Sequence, residues 1–316
     1  LSLPLATPPQ GPGHLGRFPF AAAPFTPNQI DALSRHLDEW SSAFQLGDAR
    51  FRHVAQTYVQ YCSPPEPTPA GIELDAAYMS LYFAFNDTVG GASLVDTLRL
   101  ARRALSPDQR RVPNAEWEHA RASPRHLAAI AGFIATATRC FPGQDCRPLL
   151  LYVEQLLASF CWEAELAGVL PPTDEYLRHR IHTVGAYPHF EIWRLAMNAD
   201  VPASAQPWIS ATETLSARVI HTTNDILSVQ RDQRKQKLNL VFFLQRDRGL
   251  SLGQATAAAV AMLEEHLADF QRSHEAAKAA VPAGSRVSMY LDYLAAAIEG
   301  NRLATLALTE RFLGAD

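Results

Sequence analysis

From Thr26 onward, apolar residues recur at intervals of three and four, alanine and leucine dominate, and no alternating β-branched run of strand length interrupts them. A period between three and four lines apolar side chains along one face of an α-helix, so the chain reads as mainly α-helical. Helices are predicted over about residues 28–45, 49–62, 71–90, 92–104, 124–140, 146–168, 173–184, 188–198, 205–231, 238–248, 251–279 and 286–312. Breakers fall between them, at Pro64-Pro65-Glu66-Pro67, Gly90-Gly91, Pro142-Gly143, Pro171-Pro172, Gly185 and Pro202. Proline has no N–H for the helical ladder and glycine costs backbone entropy there, so both punctuate helices. None of these breaks has the composition of a flexible linker, and no segment repeats. The pattern predicts an extended arm over residues 1–26, carrying six prolines and three glycines, and one all-α domain over residues 27–316.

The stretches 146–168 and 205–231 are apolar over more than half of their circumference. Such helices are buried on several sides, as in a bundle wrapped around a central core or cavity. With 28 Lys and Arg against 32 Asp and Glu among 316 residues, the chain offers no electrostatic footprint for nucleic acid. Its longest apolar run, Ala255–Leu263 broken by Thr256, falls far short of a membrane span. The arm lacks the basic start and apolar run of a signal peptide. Cys62, Cys140, Cys146 and Cys161 are too irregularly spaced for a zinc ribbon or a disulfide framework. A cytoplasmic protein with reduced thiols is expected.

The segment Thr223-Asn224-Asp225-Ile226-Leu227-Ser228-Val229-Gln230-Arg231-Asp232 carries the most chemistry. On a helix, Asn224, Ser228 and Asp232 follow at i, i+4 and i+8, stacking their oxygens along one face over about 12 Å. An amide oxygen, a hydroxyl and a carboxylate form a hard, oxygen-only set that suits Mg²⁺ and not zinc. The same spacing also describes a polar stripe facing solvent, and spacing alone leaves both readings open.

The run N-D-x-x-S-x-x-x-D, followed by a basic stretch and Asn239-Leu240-Val241, resembles the second metal motif of the bacterial class I terpene synthases. Trp162-Glu163, Gly168, Pro171, Glu175-Tyr176-Leu177 and Arg180-Ile181-His182-Thr183-Val184-Gly185 are similar to that family's W-E…G-x-x-P…E-Y-L-x-x-R-x-x-T-x-G run. Gly300-Asn301 and Thr309-Glu310-Arg311-Phe312 resemble its G-N…T-x-R-Y ending, and Phe83-Ala84-Phe85-Asn86-Asp87 stands where it has F-x-x-D-D. The resemblance implies an all-α class I terpene synthase bundle around a central active-site cavity. It further implies a lyase that ionises a linear prenyl diphosphate, farnesyl diphosphate by default, with three Mg²⁺ ions in the substrate complex.

By the same resemblance, Asn224, Ser228 and Asp232 hold one Mg²⁺, Arg180 senses the diphosphate, and Arg231 and Arg311 clamp its oxygens. A helix break at Thr183-Val184-Gly185 would direct the Val184 carbonyl beside the reacting carbon, while Gly185 also fits an ordinary helix C-cap feeding a turn before Pro188. Phe83, one turn before Asp87, is the expected cavity wall, with Phe85, Trp162, Phe190 and Trp193 as further aromatic candidates.

The first metal motif departs from the family. Asn86-Asp87-Thr88-Val89-Gly90-Gly91 supplies one carboxylate, Asp87, with Asn86 left as a weakened metal or phosphate contact. Asp96, nine residues on, is half a turn out of phase on a helix. Phe312 replaces a tyrosine, and Ala304 a frequent aromatic residue. An enzyme of the same fold with non-standard metal use or substrate, or a non-catalytic isoprenoid-binding protein, would explain the same losses. A monomer or homodimer without nucleic-acid or membrane-spanning partners completes the expectation.

Overall fold

Among the described residues, twelve α-helices follow one another: α1 (Pro27–Phe44), α2 (Ala49–Cys62), α3 (Pro69–Asp87), α4 (Ala92–Leu105), α5 (Pro124–Cys140), α6 (Arg147–Glu165), α7 (Thr173–Thr183), α8 (Ala186–Ala196), α9 (Gln206–Arg234), α10 (Leu240–Arg248), α11 (Leu252–Ala279) and α12 (Arg286–Leu313). The computed structural model describes residues 15, 17–21, 25–87, 92–105, 123–166 and 169–313, with side chains at all of these but 87, 92–94, 104 and 309–313. No strand occurs among the described residues, as the missing period-two patterning predicts.

The helix starts follow local chemistry. Asp48 Oδ1 accepts the Phe51 N–H at 3.0 Å, Asn239 Oδ1 accepts the Val241 N–H at 3.0 Å, and Ser251 and Gln254 form a reciprocal capping box. Where the boundaries differ from the sequence reading, proline explains two cases. The α3 helix starts at Pro69 rather than 71, and α8 starts at Ala186 rather than 188 with Pro188 in its first turn. A first-turn proline sacrifices no helical hydrogen bond. The α6 helix stops at Glu165, short of 168, and α9 continues through Arg234, past 231. The predicted end of α3 at 90 lies outside the described residues.

Within the bundle α9 is central, packed against α7, α8, α10, α11 and α12, while α3 packs against α1, α2, α5 and α8. This burial on several sides matches the wide apolar surface of α9 in the sequence. The α12 helix lies against α2 so closely that a Cβ on Gly300 would sit 1.9 Å from the Tyr61 carbonyl oxygen. Glycine is required there, and the approach delivers its neighbour Asn301 to the central cavity. The described part of the arm lies on the same helix: the Phe18 N–H donates to Glu299 Oε2 at 3.3 Å, and the Arg302 guanidinium, paired with Glu299, covers the Phe18 ring. All four cysteines are free thiols, with Cys62 and Cys161 buried. No described helix is long and apolar enough to cross a membrane.

Candidate active site

A cavity opens between α3 and α9, walled in addition by α2, α6, α7, α8 and α12. On α9 it is lined from Ile220 to Asp232, which is about 18 Å along the helix axis. Its lining combines apolar Met79, Phe160, Phe190 and Ile220 with polar Asn86, Glu163, Arg180, Asn224, Arg231, Asp232 and Lys237. Phe83 lines this cavity at 8% exposure and meets Tyr82 edge-on, with ring centroids 5.0 Å apart. Of the other aromatic candidates only Phe190 joins it there. Phe85 packs on His126, Trp162 stacks on His179, and Trp193 donates to buried Asp75.

The α9 stripe faces protein and cavity rather than bulk solvent: Ser228 is 5% and Asp232 4% exposed. Ser228 Oγ donates to Asp232 Oδ2 at 2.5 Å, and Asn239 Nδ2 donates to Asp232 Oδ2 at 3.0 Å and to the Asp225 carbonyl at 2.8 Å. Arg231 bonds Asp232 Oδ1 through Nε at 3.0 Å. The stretch after α9 therefore folds back through Asn239 and fixes the acidic end of the stripe. Among the described residues no three His, Cys, Asp or Glu side chains converge as a metal cluster. One carboxylate, one amide and one hydroxyl nevertheless make a hard-oxygen set of low charge that fits Mg²⁺ and leaves coordination positions for phosphate oxygens.

Arg180 approaches the same stripe from α7. Its Nε and Nη2 bond Asp225 Oδ1 at 2.9 and 2.7 Å, Nη2 also bonds Asn224 Oδ1 at 2.9 Å, and Nη1 reaches Thr183 Oγ1 at 3.3 Å. Burial opposes the guanidinium charge, and Asp225 more than offsets it, so the Arg180 pKa lies well above its ordinary value. Asp225 is fully buried and takes two further donors, the Tyr176 O–H at 2.5 Å and the Leu240 N–H at 3.0 Å. The sequence reading passed over Asp225 because Asn224, beside it, carries the metal spacing. One residue on is 100° around a helix, which turns Asp225 towards α7 and α10. A carboxylate there needs cationic or N–H partners, and the neighbouring motifs supply both.

The α7 helix ends at Thr183, and Gly185 takes a left-handed conformation at φ 77°. Pro188, four residues beyond Val184, has no N–H to return, and no donor among the described residues reaches the Val184 carbonyl. Val184 lines the cavity. Cap and freed carbonyl thus coexist at this break.

Asn86 lines the cavity from α3, opposite the α9 stripe. The side chains of Asp87 and Arg311 lie outside the described residues. Two titratable groups were not singled out by the sequence. Glu163 lines the cavity, and burial raises its carboxyl pKa despite nearby Arg180. His189 lines the cavity with both ring nitrogens facing acceptors, Asp75 Oδ1 at 2.8 Å and the Cys62 carbonyl at 3.1 Å. Burial works against its charge and Asp75 outweighs it, so its pKa is raised.

Residues 77–269 match the family model described as terpene synthase family 2, C-terminal metal binding. Spiroviolene synthase of Streptomyces violens is 30% identical over 151 residues, 46% of this chain and 42% of that protein. A (-)-beta-caryophyllene synthase of Saccharothrix espanaensis, named as cyclising (2E,6E)-farnesyl diphosphate, is 28% identical over 102 residues, 31% of this chain and 29% of that one. The chain thus spans less than half the length of either relative. The fold extends further: linalool/nerolidol synthase from Streptomyces clavuligerus, solved with 2-fluorogeranyl diphosphate, superposes with a TM-score of 0.75 at 20% identity over 90% of this chain and 97% of that one. Hedycaryol synthase in complex with nerolidol superposes at 0.71 and 20% identity over 95% and 99%. Since the family model covers more than half of its residues, the chain belongs to terpene synthase family 2, among the bacterial class I terpene synthases.

Proposed function

We propose that this cavity binds a linear prenyl diphosphate, farnesyl diphosphate by default, ionises it in a Mg²⁺-dependent reaction and turns the carbocation into a terpene with release of diphosphate. The observation that carries this reading is the junction of Arg180 with the α9 stripe: a fixed guanidinium, Asn224 and Asp232 line one cavity together with apolar Met79, Phe160, Phe190 and Ile220, and Ser228 bonds Asp232 behind them. The printed activity of the caryophyllene relative and the ligand of the S. clavuligerus structure support a prenyl diphosphate.

Asn224, Ser228 and Asp232 would hold one Mg²⁺, and Asp87, helped by Asn86, would serve the ions on the α3 side, up to three in all. Bound Mg²⁺ would supply Lewis-acid stabilisation of charge developing on the leaving oxygens. Arg180 presents planar N–H donors to the diphosphate from a position Asp225 fixes in advance, and Arg231 and Arg311 clamp the remaining oxygens. Thr183 holds Nη1 of Arg180 in line. The Val184 carbonyl turns the negative end of its dipole on the cation. Phe83 and its aromatic neighbours exclude water, and their ring faces stabilise positive charge.

Incubation with ten-, fifteen- and twenty-carbon prenyl diphosphates, with and without Mg²⁺, followed by analysis of extracted volatiles, tests the proposal. A terpene formed only with Mg²⁺, and best from one chain length, is the expected result. Metal-independent turnover points to non-standard ionisation, and binding without turnover points to an isoprenoid-binding protein.

A further inference from the structure

We propose that Tyr78 and Tyr82 are positioning residues that clamp the α7–α8 break and thereby set the direction of the Val184 carbonyl, which no donor among the described residues reaches. This deepens the proposed function and rests on it. The Tyr82 O–H donates to the Thr183 carbonyl at 2.9 Å, and the Tyr78 O–H donates to the Gly185 carbonyl at 2.7 Å. The two phenols thus hold the carbonyls on either side of Val184. Each peptide unit is planar, so fixing the carbonyls on either side leaves the peptide plane between them little freedom to rotate.

Gly185 completes the clamp. Its φ of 77° is a conformation side chains rarely adopt, and a Cβ there would lie 2.8 Å from the Tyr78 hydroxyl oxygen and 2.6 Å from the Tyr82 ring. The glycine therefore serves both the turn and the close approach of the two phenols. Tyr78 is fully buried, and burial holds its phenol well above the ordinary pKa, so it stays a donor through the alkaline range.

On α3, Tyr78, Tyr82 and Asn86 follow at i, i+4 and i+8, and all three line the cavity. The helix that carries the depleted first metal motif is thus also the one that grips the break. A role for α3 in aiming the Val184 dipole does not depend on how many carboxylates its end supplies.

Tyr78→Phe and Tyr82→Phe remove each O–H and keep each ring. Tyr290→Phe is the control, because the buried Tyr290 donates to Glu213 at 2.6 Å and neither residue lines the cavity. In the two clamp variants kcat is expected to fall between about 10- and 100-fold, the scale of a small misplacement at a reacting centre, while KM changes less than about threefold. The product mixture should broaden, and Tyr290→Phe should match wild type in kcat and products. Equal kcat and products in wild type and both clamp variants overturn the clamp while leaving the proposed function intact. A wild type inactive on every prenyl diphosphate overturns the function instead. Hydrogen exchange then still tests the clamp: amides 183–187 should exchange faster in Tyr82→Phe than in wild type or Tyr290→Phe, and unchanged exchange overturns it.

Discussion

At the α9 stripe, Ser228 and Asp232 bond each other and Asn239 from beyond the helix, Arg231 holds the outer carboxylate oxygen, and Arg180 of α7 bridges Asn224 to Asp225. Across the cavity on α3, Asn86 stands where the family's first aspartate is expected, and the other α3 residues facing the cavity are Tyr78, Met79, Tyr82 and Phe83. One edge is held in position by hydrogen bonds; the other contributes one amide, apolar Met79 and Phe83, and two tyrosines that reach the α7–α8 break. Preorganised donors cost no reorganisation when charge develops, so the α9 edge should carry most of the diphosphate and metal chemistry. The α3 edge should matter more for shape and for the direction of a dipole.

The sharpest way to break this comparison is to empty the α9 edge. Asn224→Ala should lower turnover by about 100- to 1000-fold at saturating Mg²⁺, with an unchanged helical circular dichroism spectrum, since one oxygen donor and the partner of Arg180 disappear together. Wild-type turnover would return the stripe to a structural role.

Next in size is the guanidinium. Arg180→Lys should be nearly as damaging as Arg180→Ala, because a point charge cannot bond Asp225, Asn224 and a phosphate oxygen in one plane. The expected loss is about 2–4 kcal/mol of transition-state stabilisation, or about 30- to 1000-fold in kcat/KM. Steady-state kinetics on both variants would check it, and a fully active lysine variant would sever Arg180 from the chemistry.

The α3 edge should respond more weakly and in both directions. Asp87→Ala should cost more activity than Asn86→Ala, because a neutral amide offers metal only a dipole. Asn86→Asp should restore a paired carboxylate and lower the Mg²⁺ concentration at half-maximal rate by a few-fold. A Mg²⁺ titration of the three variants orders them, and a harmless Asp87→Ala would mean that the first motif no longer binds metal.

The smallest effect separates the stability of α9 from its chemistry. Glu213 lies on that helix about 16 Å before Asn224. Burial pushes its carboxyl from an ordinary 4.5 up to about 7, and Tyr290 moderates the rise. The folded protein therefore keeps a proton that the unfolded chain releases. The resulting loss of stability is absent below about pH 4.5, grows as pH rises, and is complete above about pH 7 at roughly 3–4 kcal/mol. Glu213→Gln should raise Tm by several degrees at pH 8 and by little at pH 4.5, with the Mg²⁺ dependence of turnover unchanged. Thermal denaturation at the two pH values reads this directly.

Much of the architecture was legible in the sequence because helix period, proline and glycine act locally. The twelve predicted segments correspond to the twelve helices, and shifts at α3 and α8 come from first-turn prolines. The oxygen stripe and Arg180 were legible because a fixed spacing on one helix, or an ordered motif, names them. Asp225, Tyr78 and Tyr82 were not: each acts through a partner more than forty residues away, at Arg180, Gly185 and Thr183. His189 was hidden for the same reason, since its charge depends on Asp75 and on a carbonyl of α2. Local pattern reveals which residues share a face, and only the packed chain reveals what that face meets.

The central claim is that the α9 edge ionises a prenyl diphosphate with Mg²⁺. The measurement closest to it is release of inorganic diphosphate from farnesyl diphosphate, followed against Mg²⁺ concentration in wild type and in Asp232→Ala of confirmed fold. The account predicts release that requires Mg²⁺ in wild type and collapses in Asp232→Ala at every Mg²⁺ concentration. Release from wild type without metal, or equal release from the two proteins, would contradict it.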